Sequence, residues 1–191
     1  MIYIVVLNWN GAIDTINCVK SLMNLNSNDY KIIIVDNCST DNSYDSIKDN
    51  LNSLYIADKS IIEVKYEDRS KYKTLENDKI ILIQSPKNNG YASGNNIGIE
   101  LALNQENMKY VWVLNNDTEV DKEALIHLIS KCDSDKSIGI CGSRLVYFAD
   151  REMQQGLGGV HNKWLCTTKN YEMGRLVSKK YDDEVISNDI D

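Results

Sequence analysis

The sequence predicts an α/β fold in which a mostly parallel central sheet is flanked by helices. Three observations carry this. Ile2-Tyr3-Ile4-Val5-Val6-Leu7 runs into Asn8-Trp9-Asn10, Ile32-Ile33-Ile34-Val35 runs into Asp36, and Tyr110-Val111-Trp112-Val113-Leu114 runs into Asn115-Asn116-Asp117. Short apolar runs rich in β-branched residues, each followed by helical periodicity, are the pattern of parallel strands covered on both faces. Their polar ends should line one crevice at the carboxyl edge of the sheet, where open α/β sheets bind ligands. Two separated carboxylates in that crevice, Asp36 and Asp117, suit a nucleotide and a metal.

The elements follow in order. Ile13, Ile16, Val19, Leu22 and Met23 recur at three-to-four spacing and predict a helix over residues 12 to 24, broken by the polar stretch up to Asp29. Lys31 to Val35 is the second strand, and Tyr44, Ile47, Leu51 and Leu54 share the face of a second helix, with Ser39 or Thr40 as its N-cap. Residues 57 to 79 are charge-rich and read as a mobile insertion in which Ile61 to Val64 hints at a strand. Ile80 to Ile83 is a third strand, closed by Pro86, and Asn88-Asn89-Gly90 is a turn.

A helical pattern then runs from Tyr91 to about Gln105, with Gly90, Gly94 and Gly98 stacked on one face. Glycine inside a helix costs about 1 kcal/mol relative to alanine, so a close approach must compensate. Tight packing of the helix on the sheet and room for a ligand beside Asn95 and Asn96 both fit. After the strand that ends at Asp117, Ala124, Leu125, Leu128, Ile129 and Cys132 predict a helix, and Ile138 to Gly142 and Leu145 to Phe148 predict two short strands. Beyond Gly156 the alternation is weak, and Tyr181 to Asp191 carries no helical pattern.

The 191 residues, 42% apolar and 26% charged, suit one ordinary domain with a substantial core, expected as a nucleotide-binding part over 1–120 and the start of an acceptor part over 121–191. The net charge of −7 excludes a phosphate-tracking surface built on excess Lys and Arg, so no nucleic-acid partner is expected. No run reaches the roughly 18 apolar residues of a membrane span, and the start lacks a basic leader, so a cytoplasmic protein is expected. Cys18, Cys38, Cys132, Cys141 and Cys166 form no Cys-x-x-Cys pair and read as structural thiols rather than a zinc site or a disulfide framework.

Asp117 has the chemistry of a ligand for Mg²⁺ or Mn²⁺, which prefer oxygen donors and often take one or two carboxylates plus substrate phosphates. The plainer alternative is that Asp117 or Thr118 caps the helix beginning near Asp121, the commoner role for that position. Asp36 has the chemistry to accept the imide N–H of uracil or thymine, which cytosine lacks; the plainer alternative is an Asx-turn acid at a strand end. The loop after the first strand, Asn8-Trp9-Asn10-Gly11, is neither a phosphate loop nor a dinucleotide turn.

Val5-Val6-Leu7-Asn8-Trp9-Asn10-Gly11, Ile34-Val35-Asp36-Asn37-Cys38-Ser39-Thr40-Asp41, the segment from Asn88 to Gly98 and Leu114-Asn115-Asn116-Asp117, in this order and spacing, strongly resemble glycosyltransferase family 2. Gly158 to Trp164 is similar to the rhamnosyltransferase-like branch of bacterial cell-surface polysaccharide biosynthesis. The resemblance implies a GT-A fold, Rossmann-like and here C-terminally incomplete. It also implies inverting, metal-assisted transfer of a sugar from a UDP- or dTDP-sugar donor to a glycan or polyprenyl-linked acceptor, compatible with peripheral association at the inner face of the membrane. By the same resemblance Asp36 holds the base, Asp117 is the last acid of a D-x-D-like motif that here reads Asn115-Asn116-Asp117, and Leu7, Asn8, Asn89, Gly90, Asn95 and Asn116 line the donor.

The departing diphosphate builds negative charge that a divalent cation on Asp117 neutralises, while a general base takes the proton of the acceptor hydroxyl. That base is expected beyond Asp191, and the acidic residues from Asp182 onward read as a solvated tail. Two rival readings stand beside this one: a module that holds nucleotide-sugar without transfer, and a sugar nucleotidyltransferase, which would show a Gly-rich basic triphosphate loop near the N-terminus.

Overall fold

The computed structural model describes residues 1–54, 61–73, 79–156, 158–162, 164–165, 167–170 and 173–177. By internal contacts the chain divides into two compact units, Met1–Glu123 and Ala124–Asp191. In the first unit β1 (Ile2–Asn8), α1 (Ala12–Met23), β2 (Tyr30–Asp36), α2 (Ser43–Leu54), β3 (Ile61–Val64), a 3-10 helix (Tyr66–Lys71), β4 (Ile80–Gln84), α3 (Tyr91–Leu103) and β5 (Tyr110–Asn115) follow one another. The strands form one parallel sheet in the order β3-β4-β2-β1-β5.

Every residue of β1 and β2 is buried, as central strands with helices on both faces require. Alternate side chains divide between the faces. Tyr3, Val5, Leu7, Ile33, Val35, Ile81 and Ile83 pack with Ile97, Leu101 and Ala102 of α3. The opposite face carries Tyr30, whose hydroxyl donates to the Leu22 carbonyl of α1 at 2.6 Å. Each buried aliphatic side chain contributes about 1.5–3 kcal/mol, so these two layers hold the strand tips in a fixed frame.

The glycines of α3 settle one of the two readings of their spacing. A Cβ at Gly94 would stand 2.5 Å from Leu7 Cδ1, and one at Gly98 would stand 2.6 Å from Val5 Cγ1, so both allow the helix backbone to touch β1. Gly90 precedes the helix at φ 87°, a left-handed conformation that favours glycine.

The charge-rich interval supplies an edge strand and a 3-10 helix within its described residues, 61–73. The Arg69 guanidinium lies 4.0 Å from the Tyr66 ring centre and reaches Glu100 of α3 at 3.0 Å, while Gln105 donates to the Tyr72 carbonyl at 2.6 Å. Composition suggested a loop; cross-chain partners invisible in the local pattern order these residues. Residues 57–60 and 74–78 of that interval lie outside the described ones.

The second unit contains α4 (Ala124–Ser134), an antiparallel pair β6 (Leu145–Val146) and β7 (Gln154–Gly156), and a second pair β8 (Gly159–Asn162) and β9 (Thr167–Asn170). Ile138 to Gly142, expected as a strand, forms none; Asp135 accepts the Ser137 backbone N–H in a turn just before it, and Ile140 is exposed. Tyr181 to Asp191 lies outside the described residues.

Candidate functional site

Parallel register decides which polar ends meet. Asn8 stands opposite Asp36, Asp36 opposite Gln84, and Leu7 opposite Asn115. Side chains in register on neighbouring parallel strands point to the same face, so Asn8, Asp36 and Gln84 form a row across three strand tips.

Asp36 is the hub of that row and is fully buried. Its Oδ1 accepts Asn8 Nδ2 at 2.7 Å and the Ser39 hydroxyl at 2.5 Å. Its Oδ2 accepts the Ser39 backbone N–H at 3.1 Å and Gln84 Nε2 at 3.0 Å. The network continues toward β5: the Thr15 hydroxyl donates to Asn8 Oδ1 at 2.8 Å and accepts from Asn116 Nδ2 at 3.0 Å. Asn116 also donates to the Gly11 carbonyl at 3.4 Å. One continuous chain of hydrogen bonds therefore joins the tip of β2 to the turn after β5.

Two loops close over this row. Asn10 Nδ2 donates to the Thr40 hydroxyl at 3.3 Å, and Asn10 Oδ1 accepts the Thr40 backbone N–H at 2.8 Å. Cys38 adopts φ 59° between them, a conformation that costs a side-chain-bearing residue of order 1–3 kcal/mol and persists where hydrogen bonds over-determine it. Ser39 and Thr40, expected to cap α2, serve these loops instead. Asp41 is the acid beside the helix start, accepting the Ser43 backbone N–H at 3.1 Å.

Asp117 lies in the turn after β5, seven residues before α4, and its carboxylate is exposed and accepts no hydrogen bond among the described residues. It therefore caps no helix. The chain beyond it is tied to α1 and its following loop, with Val120 N–H donating to Ser21 Oγ at 3.0 Å and Asn26 N–H to the Lys122 carbonyl at 2.8 Å. A single free carboxylate on a fixed turn fits a hard cation that completes its shell with phosphate oxygens and water. Among the described residues no cluster of three or more His, Cys, Asp or Glu forms a self-sufficient metal cage.

The third wall is the start of α3. Tyr91 donates its hydroxyl to Asn115 Oδ1 at 2.7 Å, and no side chain caps the helix. Asn88 Oδ1 accepts the Gly90 backbone N–H at 2.8 Å and Asn37 Nδ2 at 3.0 Å. Asn89 and Gly90 are exposed, whereas Asn95 is buried and donates to the Tyr91 carbonyl at 3.0 Å. The buried Oδ1 atoms of Asn37 and Asn95 have no hydrogen-bond partner among the described residues. Leu7 is buried against Gly94 at the foot of this helix.

Thr15 and Gln84 escape a motif-based reading, and Ser39, though inside the quoted motif, was expected only as a helix cap. Ser39 carried a signal, three residues after an acid at a strand end, where a serine closes an Asx-type turn. Gln84 carried another, since it ends its strand at the level at which Asp36 ends β2. Thr15 carried none.

Among the cysteines, Cys18 is buried and burial pushes its thiol up to about 12. It donates to the Asn115 carbonyl at 3.7 Å. Cys18, Cys38, Cys132 and Cys141 are free thiols, and Cys166 lies outside the described residues.

A five-stranded parallel sheet flanked by helices, with amides, a buried acid and an exposed acid at its strand tips, is an α/β architecture of the GT-A fold. Residues 3–176 match glycosyl transferase family 2, and the chain belongs to that family. It is 36% identical over 104 residues to the low-salt glycan biosynthesis hexosyltransferase Agl10 of Haloferax volcanii, covering 52% of this chain and 31% of that protein. The mannosyltransferase PcManGT of Pyrobaculum calidifontis, solved with GDP-Man and Mn²⁺, superposes with a TM-score of 0.52 at 12% identity over 72% of this chain and 33% of its own. TarS of S. aureus in complex with UDP aligns with a TM-score of 0.49 at 15% identity, over 70% of this chain and 32% of its own. The chain thus spans about a third of the length of each of these proteins. Among the described residues no helix is long and apolar enough to cross a membrane.

Proposed function

We propose that this chain binds a uridine or thymidine diphospho-sugar across the tips of β1, β2 and β5 and holds it for inverting transfer to a glycan or polyprenyl-linked acceptor. The observation that carries the reading is the hydrogen-bonded row from Gln84 through Asp36, Asn8 and Thr15 to Asn116, which fixes the turn that carries the exposed carboxylate of Asp117 at the same edge of the sheet. The uncapped start of α3 beside Gly90 supports the diphosphate end, because backbone N–H groups and the helix dipole there favour an anion.

Each residue has a task in this proposal. Asn8 and Asp36 shape the base and ribose end. Asn89, Gly90 and Asn95 flank the diphosphate and sugar on the α3 side, and Leu7 keeps that helix close to the sheet. Asp117, with Asn116 fixing its turn, holds Mg²⁺ or Mn²⁺, which when bound neutralises charge on the departing diphosphate. Membership of the rhamnosyltransferase-like branch, a role in cell-surface polysaccharide biosynthesis and work at the inner face of the membrane are parts of the same proposal.

Thermal unfolding with added nucleotide tests it. UDP or dTDP with Mn²⁺ stabilises the chain by about 2.7 kcal/mol at a hundredfold excess over the dissociation constant, and ADP does less. Equal shifts for all three nucleotides, or none, would contradict the proposal.

A further inference from the structure

This inference deepens the donor reading above and rests on it. An ionised carboxylate accepts hydrogen bonds only, with about four lone-pair sites on its two oxygens. On Asp36 the donors from Asn8, the Ser39 hydroxyl, the Ser39 backbone and Gln84 take up four. The residue is also fully buried. A nucleobase therefore finds neither an approach to this carboxylate nor a free acceptor on it.

The same arrangement fixes a neighbour. Because Asp36 accepts and never donates, the NH₂ of Gln84 must face it, and the Gln84 carbonyl oxygen is then the amide atom turned away. Gln84 is exposed, and it lines a cleft of about 490 Å³ with Tyr44, Tyr66, Ser85 and Pro86 at the carboxyl ends of the outer strands. The cleft thus presents an oriented acceptor beside aromatic and proline surface, with Glu63, Lys65 and Glu67 also in its lining.

The geometry points to Gln84 as the residue that reads the nucleobase, its Oε1 accepting the ring N–H that uracil and thymine carry at N3 and guanine at N1. Cytosine and adenine present a lone pair at the corresponding ring position, and two acceptors face to face lose the bond and repel. Asp36 acts through Gln84 as a positioning residue, by holding its amide in one of two orientations. The sequence-level assignment of the base to Asp36 thereby passes to the side chain in register beside it.

Calorimetric titration with UDP, CDP and the 5′-diphosphate of N3-methyluridine tests this on wild type, Gln84→Met and Asp36→Asn. Wild type should prefer UDP to both others severalfold, up to about tenfold, the scale of one neutral hydrogen bond. Gln84→Met, of similar length and without an acceptor amide, should bind all three within about twofold. Asp36→Asn, which frees the Gln84 amide to turn over, should lower the UDP-to-CDP ratio rather than weaken both alike. Full preference for UDP in Gln84→Met, or equal wild-type affinity for UDP and its N3-methyl analogue, overturns the assignment. Should a variant fail to fold, the N3-methyl comparison on wild type still decides. Wild type that binds none of the three overturns the donor reading itself, an outcome distinct from either of those.

Discussion

The hydroxyl of Thr15 donates to Asn8 and accepts from Asn116, so it carries the link between the tip of β1 and the turn after β5. Thr15→Val keeps the shape and removes both bonds, leaving the buried Asn8 Oδ1 unpaired at a cost of about 1–3 kcal/mol and Asn116 Nδ2 with only its longer bond to the Gly11 carbonyl. The urea midpoint should fall accordingly, and Thr15→Ser should restore most of it; a Val variant as stable as wild type would contradict the network. Asp117→Ala should behave oppositely. Its carboxylate is exposed and accepts no hydrogen bond among the described residues, so stability should change by no more than about 0.5 kcal/mol while the Mn²⁺-dependent part of diphosphate binding disappears. A variant that keeps its Mn²⁺ dependence moves the metal elsewhere. At this scale Asp36 and Asp117 were legible because each ends an apolar run. Their partners were not, because Thr15 and Gln84 meet the site only once strand register is known.

Helix α3 lies against β1 through two glycines, and element-scale energetics can be tested there. Gly98→Ala gains about 1 kcal/mol of helix propensity but drives a methyl to 2.6 Å from Val5 Cγ1 in a closed core. Overpacking of this kind costs about 1–3 kcal/mol, so the midpoint of thermal unfolding should drop, and a rise would show that the helix can shift outward without loss. Helix α1 offers a pH test through Cys18. Burial raises its thiol from 9.0 to about 12, so the folded state favours the neutral form. The stability this contributes is complete below pH 9.0 and is lost as pH climbs toward 12. Cys18→Ala should flatten that alkaline loss, and in the native chain the thiol should resist disulfide reagents at neutral pH. Continuous apolar, β-branched runs made β1, β2, β4 and β5 legible, and the period-3.6 pattern made α1 to α4 legible. The short strand β3 was only hinted at, since its order depends on pairing with β4 and on Arg69 reaching Glu100, contacts between distant parts of the chain.

The chain joins a parallel GT-A sheet in Met1–Glu123 to a second unit that contains short antiparallel pairs. The α/β class and the donor-side motifs could be read from the sequence, because parallel strands buried on both faces leave a strong compositional trace. The second unit left a weaker one, since pairs such as β6 with β7 have only two or three residues per strand. The central proposal is that one set of strand tips holds both nucleotide and metal. Paramagnetic broadening of amide resonances by Mn²⁺, recorded with and without UDP, tests this most directly. The account predicts that UDP sharply increases broadening at Asn115 to Thr118 and at Gly90 to Ala92, and that Asp117→Ala abolishes the increase. Broadening centred on another acidic surface, such as the Asp45 and Asp49 face of α2, or unchanged by UDP, would contradict it.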